Sequence, residues 1–300
     1  GLIEVRVTVV SDGGVEARVH QGGLLRDHKC AAFPGSRLDL PAVTDKDVGD
    51  LEFGKEIGID IVAASFVESA RDIQAVHDVV GGTPVIAKIE KPQAIENLDE
   101  ILQETDGVMV ARGDLGVEVP AEEVPLIQKR LVLRAKKARI PVIIATQMME
   151  SMITSLVPSR GEVNEGANSV MDGADAVRLS GETSVGNYPV QVIEKMTSIL
   201  KSVEGSQLIK VPQEPPHVRT KRYITKAVCY HAALMANEIK AQAISTLTNS
   251  GYTAFQISAW RPSAHILVFT SNKKILSQLN LLWGVKAFYY DRFVSTDETI

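Results

Sequence analysis

The chain has 300 residues, which at roughly 150 residues per domain leaves room for about two domains. A composition of 45% hydrophobic and 23% charged residues is ordinary for a globular protein and supplies a sizeable core. Lys plus Arg number 32 and Asp plus Glu 37, so the net charge of −5 gives no electrostatic footprint for nucleic acid, and no apolar run reaches the length of a membrane span.

The opening GLIEVRVTVV has no basic stretch followed by a cleavage site, so no secretory signal is expected. The two cysteines, Cys30 and Cys229, lie far apart and make no disulfide framework, which points to a reduced, cytoplasmic protein. The β-branched run IEVRVTVV, a turn at Gly13-Gly14, the alternating VEARVH and a second turn at Gly22-Gly23 predict β structure over the first forty residues or so. Pro34-Gly35 and Pro41 then mark a change of regime.

From about residue 43 to 205 the pattern is apolar strand, loop, amphipathic helix, repeated. IDIVAASF, TPVIAKIE, DGVMVARGDL, IPVIIATQM and DAVRLSGE are short and apolar, as strands buried on both faces of a parallel sheet are. ESARDIQAVHDVV and PLIQKRLVLRAKKA carry apolar residues at helical spacing. EGSQLIKVPQEPPH, with three prolines, predicts a linker. A second α/β pattern follows: helix TKAVCYHAALMANEI, strand AISTLT, helix YTAFQISAW, strand HILVFT, helix KKILSQLNLL and strand VKAFYY.

The chemically useful side chains collect where the strands of the first pattern end: Lys88-Ile89-Glu90, Arg112-Gly113-Asp114, Thr146-Gln147 and Ser180-Gly181-Glu182. Parallel α/β folds place their sites at that rim. Alternation puts Lys88 and Glu90 on one side of their strand, where Asp114 of the next strand can join Glu90 in an oxygen-ligand site. Two carboxylates with room for water and substrate oxygens suit Mg²⁺ or Mn²⁺, and a lysine beside them suits stabilisation of a phosphate or enolate. A single Lys-x-Glu at a strand end is more often a solvated rim; its recurrence on consecutive strands carries the signal. No GxxxxGK[ST] loop is present, and the six histidines never fall at metal-ligand spacing. Arg112-Gly113-Asp114 spells an adhesion tripeptide but follows a buried strand.

Taken together, VIAKIEKPQAIENLDEIL, DGVMVARGDLGVEVP, VPLIQKR, VIIATQMMESM and DGADAVRLSGETSVGNYPV resemble pyruvate kinase in order and spacing. GGLLRDHKCAAFPGSRLDLPAVTDKD is similar to that family's exit from its lid domain, and LTNSGYTAFQISAWRPSAHILVFTSN to its C-terminal domain. The resemblance implies an α/β fold: a partial TIM (β/α)8 barrel with an N-terminal β lid-domain remnant and a C-terminal α/β domain. The divisions expected are 1–39 for the lid remnant, 40–205 for barrel strands four to eight, 206–218 for a linker and 219–300 for an incomplete C-terminal domain.

It also implies Mg²⁺-dependent phosphoryl transfer from phosphoenolpyruvate to ADP, giving pyruvate and ATP, by a homo-oligomer, commonly a tetramer. By resemblance, Lys88 neutralises the transferring group and the enolate. Glu90 and Asp114 hold the metal, the Gly113 backbone and Asp114 cradle the substrate carboxylate, and Thr146 sits beside the protonated carbon. Lys29 lies near the nucleotide phosphates. The family's K⁺ ligands belong to barrel strands absent from this chain, and an incomplete barrel is expected to expose strand edges and one side of its core. The chain departs from the family at Cys30-Ala31-Ala32 after the lid lysine, Glu68, Ser159-Arg160-Gly161-Glu162, Glu165-Gly166 and Arg178. Thr248–Thr253, similar to an effector-phosphate loop, is read as a helix-capping loop. Two other functions stay open: a pyruvate-enolate aldolase or lyase, and a non-catalytic fragment.

Overall fold

A computed structural model describes residues 3–25, 27, 31–36, 41–206, 208–209, 211 and 213–292. Lys29 and Cys30 lie outside the described residues. The first segment is one antiparallel hairpin, β1 (Glu4–Ser11) and β2 (Gly14–Gln21), joined at Asp12-Gly13, one residue before the expected Gly13-Gly14 turn. All its residues are exposed, and among the described residues no second layer covers either face. Gly22 and Gly23 continue as irregular chain instead of turning.

The βα alternation then runs through α1 (Asp45–Glu56), β3 (Val62–Ala64), α2 (Ala70–Val80), β4 (Val85–Ile89), α3 (Pro92–Glu96), α4 (Leu98–Glu104) and β5 (Gly107–Ala111). It goes on with α5 (Arg112–Glu118), α6 (Val124–Ala138), β6 (Val142–Ala145), α7 (Arg160–Met171), β7 (Ala176–Arg178), α8 (Gly181–Ser184) and α9 (Pro189–Glu204). The five strands form one parallel sheet in the order β3-β4-β5-β6-β7, the order that consecutive βα units of a barrel give. Reciprocal capping boxes start several of the helices: Thr44 with Asp47, Ser69 with Asp72, and Ser159 with Glu162.

Alternate residues of β4, β5 and β6 point to opposite faces. Val85, Ala87, Ile89, Val108, Val110, Val142 and Ile144 join the main core beneath the helices. Ile86, Met109, Ile143 and Ala145 line the inner face and pack against Ile61, Ala176 and Leu281. The expectation of a bare inner core is therefore corrected: Ile86 is 5%, Met109 6% and Ile143 7% exposed, because these side chains cover one another and Leu281 reaches over from the C-terminal part. The expected edges are present, in β3 and β7, each only three residues long. Arg178 ends β7 and is exposed, so its charge stays in water.

The five strands of this sheet are shorter than the runs that predicted them: IDIVAASF keeps only Val62–Ala64 and DAVRLSGE only Ala176–Arg178. β5 stops at Ala111, and Arg112-Gly113-Asp114 opens helix α5, since glycine and aspartate are poor strand formers and an acidic residue suits a helix's first turn.

After α9 come α10 (Tyr223–Glu238), β8 (Ala243–Leu247), α11 (Tyr252–Ala259), β9 (His265–Thr270), α12 (Leu276–Leu279) and β10 (Val285–Tyr289). Their sheet is parallel, in the order β10-β9-β8. KKILSQLNLL, predicted as one helix, is a 3-10 turn at Lys273–Ile275 followed by the single turn α12, begun by the Asn272 side chain accepting from Lys274 N–H at 3.1 Å. In the Thr248–Thr253 loop the Thr248 hydroxyl accepts from Gly251 N–H at 3.0 Å, while Gly251, the N-cap of α11, receives no side-chain cap. Cys229 is a buried free thiol whose pKa burial pushes up to about 11. Among the described residues no helix is long and apolar enough to cross a membrane.

Buried charge joins the two sheets' layers. Lys136 of α6 pairs with Asp175, and Arg261, following α11, lies 2.9 Å from the same carboxylate and donates to Gly173 O at 2.7 Å. All three side chains are at most 3% exposed. Beside them the Arg139 guanidinium lies 3.5 Å above the Trp260 ring, and Trp283 Nε1 donates to Glu204 at 3.1 Å.

Candidate active site

β4 sets the first part of the site. Period two carries its inner face from Ile86 to Lys88 and on to Glu90, just past the strand's end. The Lys88 ammonium, with its side chain 18% exposed, lies 2.6 Å from Glu90 Oε1 and donates to Ser65 Oγ at 2.8 Å. Glu90 is fully buried, and its Oε2 accepts the Phe66 N–H at 2.7 Å, delivered by a left-handed turn at Phe66 (φ 55°) after β3. The Lys88 contact is close but poorly aligned for a hydrogen bond, so Oε1 has charge compensation without a directed donor. Burial raises the Glu90 pKa; the lysine and the Phe66 N–H pull against it, and the negative charge of Asp114 adds to the rise. Asp114 is exposed, in the first turn of α5 rather than at a strand end.

β5 and β6 set the second part. Thr146 and Gln147 follow β6 with φ of 67° and 53°, both left-handed. The Thr146 hydroxyl donates to Ala145 O at 2.6 Å and accepts from Gly113 N–H at 2.8 Å, which ties the start of α5 to the end of β6. Arg112, 6% exposed, donates through Nε to Ala145 O at 3.3 Å. Its Nη2 donates to Thr146 O and, at 3.3 Å, to Gln147 O. Its Nη1 reaches Gln128 Oε1 at 3.3 Å and pairs with Glu165 of α7. Burial lowers the Arg112 pKa and Glu165 opposes that shift. An adhesion tripeptide must display its arginine, and this one is enclosed.

Of the residues expected at the site, Lys88 and Glu90 touch, Gly113 and Thr146 touch, and Asp114 influences Glu90 through its charge. Ser65, Phe66, Gln128 and Glu165 were not foreseen. Their contacts span 16 to 53 residues of chain and leave no periodic trace. Glu182, at 3% exposure, accepts from Ser180 N–H at 2.6 Å and Met149 N–H at 3.2 Å, fastening the turn after β7 to the one after β6. Glu68 takes Lys91 as partner at 2.6 Å.

As a donor set, Glu90 and Asp114 suit a hard divalent cation that takes its other oxygens from water and substrate. The undirected Glu90 Oε1, and a carboxyl whose pKa burial raises with the charge of Asp114 adding to the rise, are what such a cation would relieve.

Residues 1–193 match the family described as pyruvate kinase, barrel domain, and residues 226–300 match pyruvate kinase, alpha/beta domain. A pyruvate kinase of Mycobacterium tuberculosis is 42% identical over 305 residues, covering 100% of this chain and 64% of that protein. Pyruvate kinase 2 of Synechocystis is 42% identical over 302 residues, 99% of this chain and 50% of that one. A pyruvate kinase of Corynebacterium glutamicum is 42% identical over 302 residues, 99% of this chain and 62% of that one. The chain thus spans between half and two thirds of the length of these curated relatives. With barrel and C-terminal domains matched in the same order as its two parallel sheets, the chain belongs to the pyruvate kinase family.

Proposed function

We propose that this chain carries the catalytic rim of a pyruvate kinase, transferring the phosphoryl group of phosphoenolpyruvate to ADP to give pyruvate and ATP. The observation that carries the reading is the Lys88 ammonium, half-buried at a strand end and held by Glu90 and Ser65. In the reaction an ADP terminal phosphate oxygen bonds to phosphorus, the bond from phosphorus to the enol oxygen breaks, and the enolate carbon takes up a proton. Lys88 lies where positive charge compensates both the moving phosphoryl group and the enolate oxygen, which is most of what phosphoryl transfer asks of a protein. Thr146 stands by the carbon that accepts the proton. Asp114 and the Gly113 N–H border the substrate carboxylate in this reading.

Glu90 and Asp114 are the residues that would hold Mg²⁺ or Mn²⁺, which when bound neutralises phosphoryl oxygens. The K⁺ requirement, the nucleotide contact of Lys29, the homo-oligomer, a cytoplasmic location and the divisions at 39, 205 and 218 belong to the same reading and rest on the family resemblance.

The test is ADP-dependent pyruvate formation from phosphoenolpyruvate with Mg²⁺ and K⁺. Lys88→Ala is expected to lower turnover by a factor on the order of 10²–10³ while circular dichroism is unchanged. Pyruvate released without ADP from a hydroxy-keto acid would replace this reading with an aldolase or lyase. A folded chain with no turnover would replace it with a non-catalytic one.

A further inference from the structure

Arg112 immediately precedes the Gly113-Asp114 pair, yet its bonds go elsewhere. Its guanidinium serves three successive carbonyls, those of Ala145, Thr146 and Gln147. Those carbonyls belong to the chain reversal in which Thr146 and Gln147 are both left-handed. A β-branched residue disfavours that conformation, so a bare loop would relax away from it. The relaxation would carry the Thr146 hydroxyl off the Gly113 N–H that it meets at 2.8 Å. A single planar group with donors in a fixed fork can hold several carbonyls in one geometry, which a lysine ammonium does less well.

A buried guanidinium needs a counter-ion, and Glu165 of α7 supplies it. Gln128 of α6 takes the remaining direction of Nη1. The loop bearing Thr146 is therefore fixed from α5, α6 and α7 through one side chain. Aspartate at position 165 would keep the charge on a shorter arm, so Glu165→Asp provides a comparison.

We propose that Arg112, with Glu165 as its counter-ion, is the positioning residue that holds the Thr146 hydroxyl at the reacting carbon. The assignment rests on the function proposed above for Thr146. Arg112 touches no substrate; it acts through the backbone of residues 145–147.

Two measurements on the whole chain separate this from a merely structural role. In the kinase assay Glu165→Gln is expected to lower kcat about 10-fold, since small misplacement of a reacting group is costly. KM for phosphoenolpyruvate stays within about two-fold and Glu165→Asp restores kcat to within about three-fold, as loss of a transition-state contact alone requires. Arg112→Lys, which keeps the charge and loses the fork, is expected to resemble Glu165→Gln. Independently of turnover, amide hydrogen exchange by NMR reads the Gly113 N–H. Its protection falls about 10-fold in Glu165→Gln and Arg112→Lys, survives in Glu165→Asp, and that of the strand amide of Ile144 is unchanged in all three. Unaltered Gly113 protection in both Glu165→Gln and Arg112→Lys overturns the proposal, as does a rise in KM with kcat intact. If the parent chain forms no pyruvate, the kinase reading fails, and the Gly113 amide alone decides whether Arg112 and Glu165 position Thr146.

Discussion

Thr146 and Gln147 are held in a conformation that costs about 1–3 kcal/mol for each residue lacking glycine's freedom. Hydrogen bonds from Arg112 and from Gly113 N–H offset that cost, and the result is a hydroxyl in a defined place. Thr146→Val keeps the branched shape and deletes the hydroxyl, leaving Gly113 N–H unpartnered. It is expected to lower pyruvate formation by a factor on the order of 10²; Thr146→Ser keeps the hydroxyl and most of the rate. The check is steady-state pyruvate formation by both variants. Lys88 and Glu90 were legible in the sequence because period two on a strand decides which side chains share a face. Thr146 was legible as a residue but not as a conformation, since the sign of φ leaves no mark in a pattern of apolar and polar letters. The Arg112–Glu165 pair was hidden for a different reason. It joins residues 53 apart, on elements whose packing no local spacing specifies.

At the scale of elements, two glycines near the rim have opposite roles. Gly166 lies inside α7, where a Cβ would meet Met196 Sδ at 3.5 Å and Ile199 Cγ2 at 3.7 Å, ordinary contacts. Gly166→Ala is expected to stabilise the chain by up to about 1 kcal/mol through helix propensity. Gly186 follows α8, where a Cβ would fall 2.4 Å from Glu182 O, a backbone atom that cannot yield. Gly186→Ala is expected to cost about 1–3 kcal/mol and to disturb the turn that Glu182 fastens. Urea midpoints of the two variants against the parent measure both effects. The strands and longer helices were legible because their apolar periods are unambiguous. The end of β5 and the shortness of α12 were not: backbone preference at Gly113-Asp114 and a side-chain cap at Asn272 decide them.

For the molecule as a whole, the barrel-type sheet and the C-terminal sheet meet at two buried cations sharing one buried carboxylate. Burial lowers the Lys136 pKa from 10.5 to about 8, with Asp175 opposing and Arg261 adding to the fall. Asp175 is held below its usual range, because the two cations outweigh its own burial. Between pH of about 8 and 10.5 the unfolded chain binds more protons at Lys136 than the folded one, so the lysine's contribution to stability rises with pH across that window and is flat below it. The whole rise amounts to about 3 kcal/mol. It is measured as the pH dependence of the unfolding free energy of the parent minus that of Lys136→Met, which cancels the titration of Cys229 and the tyrosines. At neutral pH Lys136→Met is expected to be nearly neutral, since Asp175 and Arg261 remain a one-to-one pair. Asp175→Asn, which strands two cations, is expected to cost about 3–5 kcal/mol. This joint also carries the chain's two tryptophans, Trp260 under Arg139 and Trp283 beside Arg261. Indole emission of this protein is therefore a local gauge: separation of the two parts changes its colour and intensity, while events confined to the Lys88 rim pass without an optical trace unless a tryptophan is introduced there.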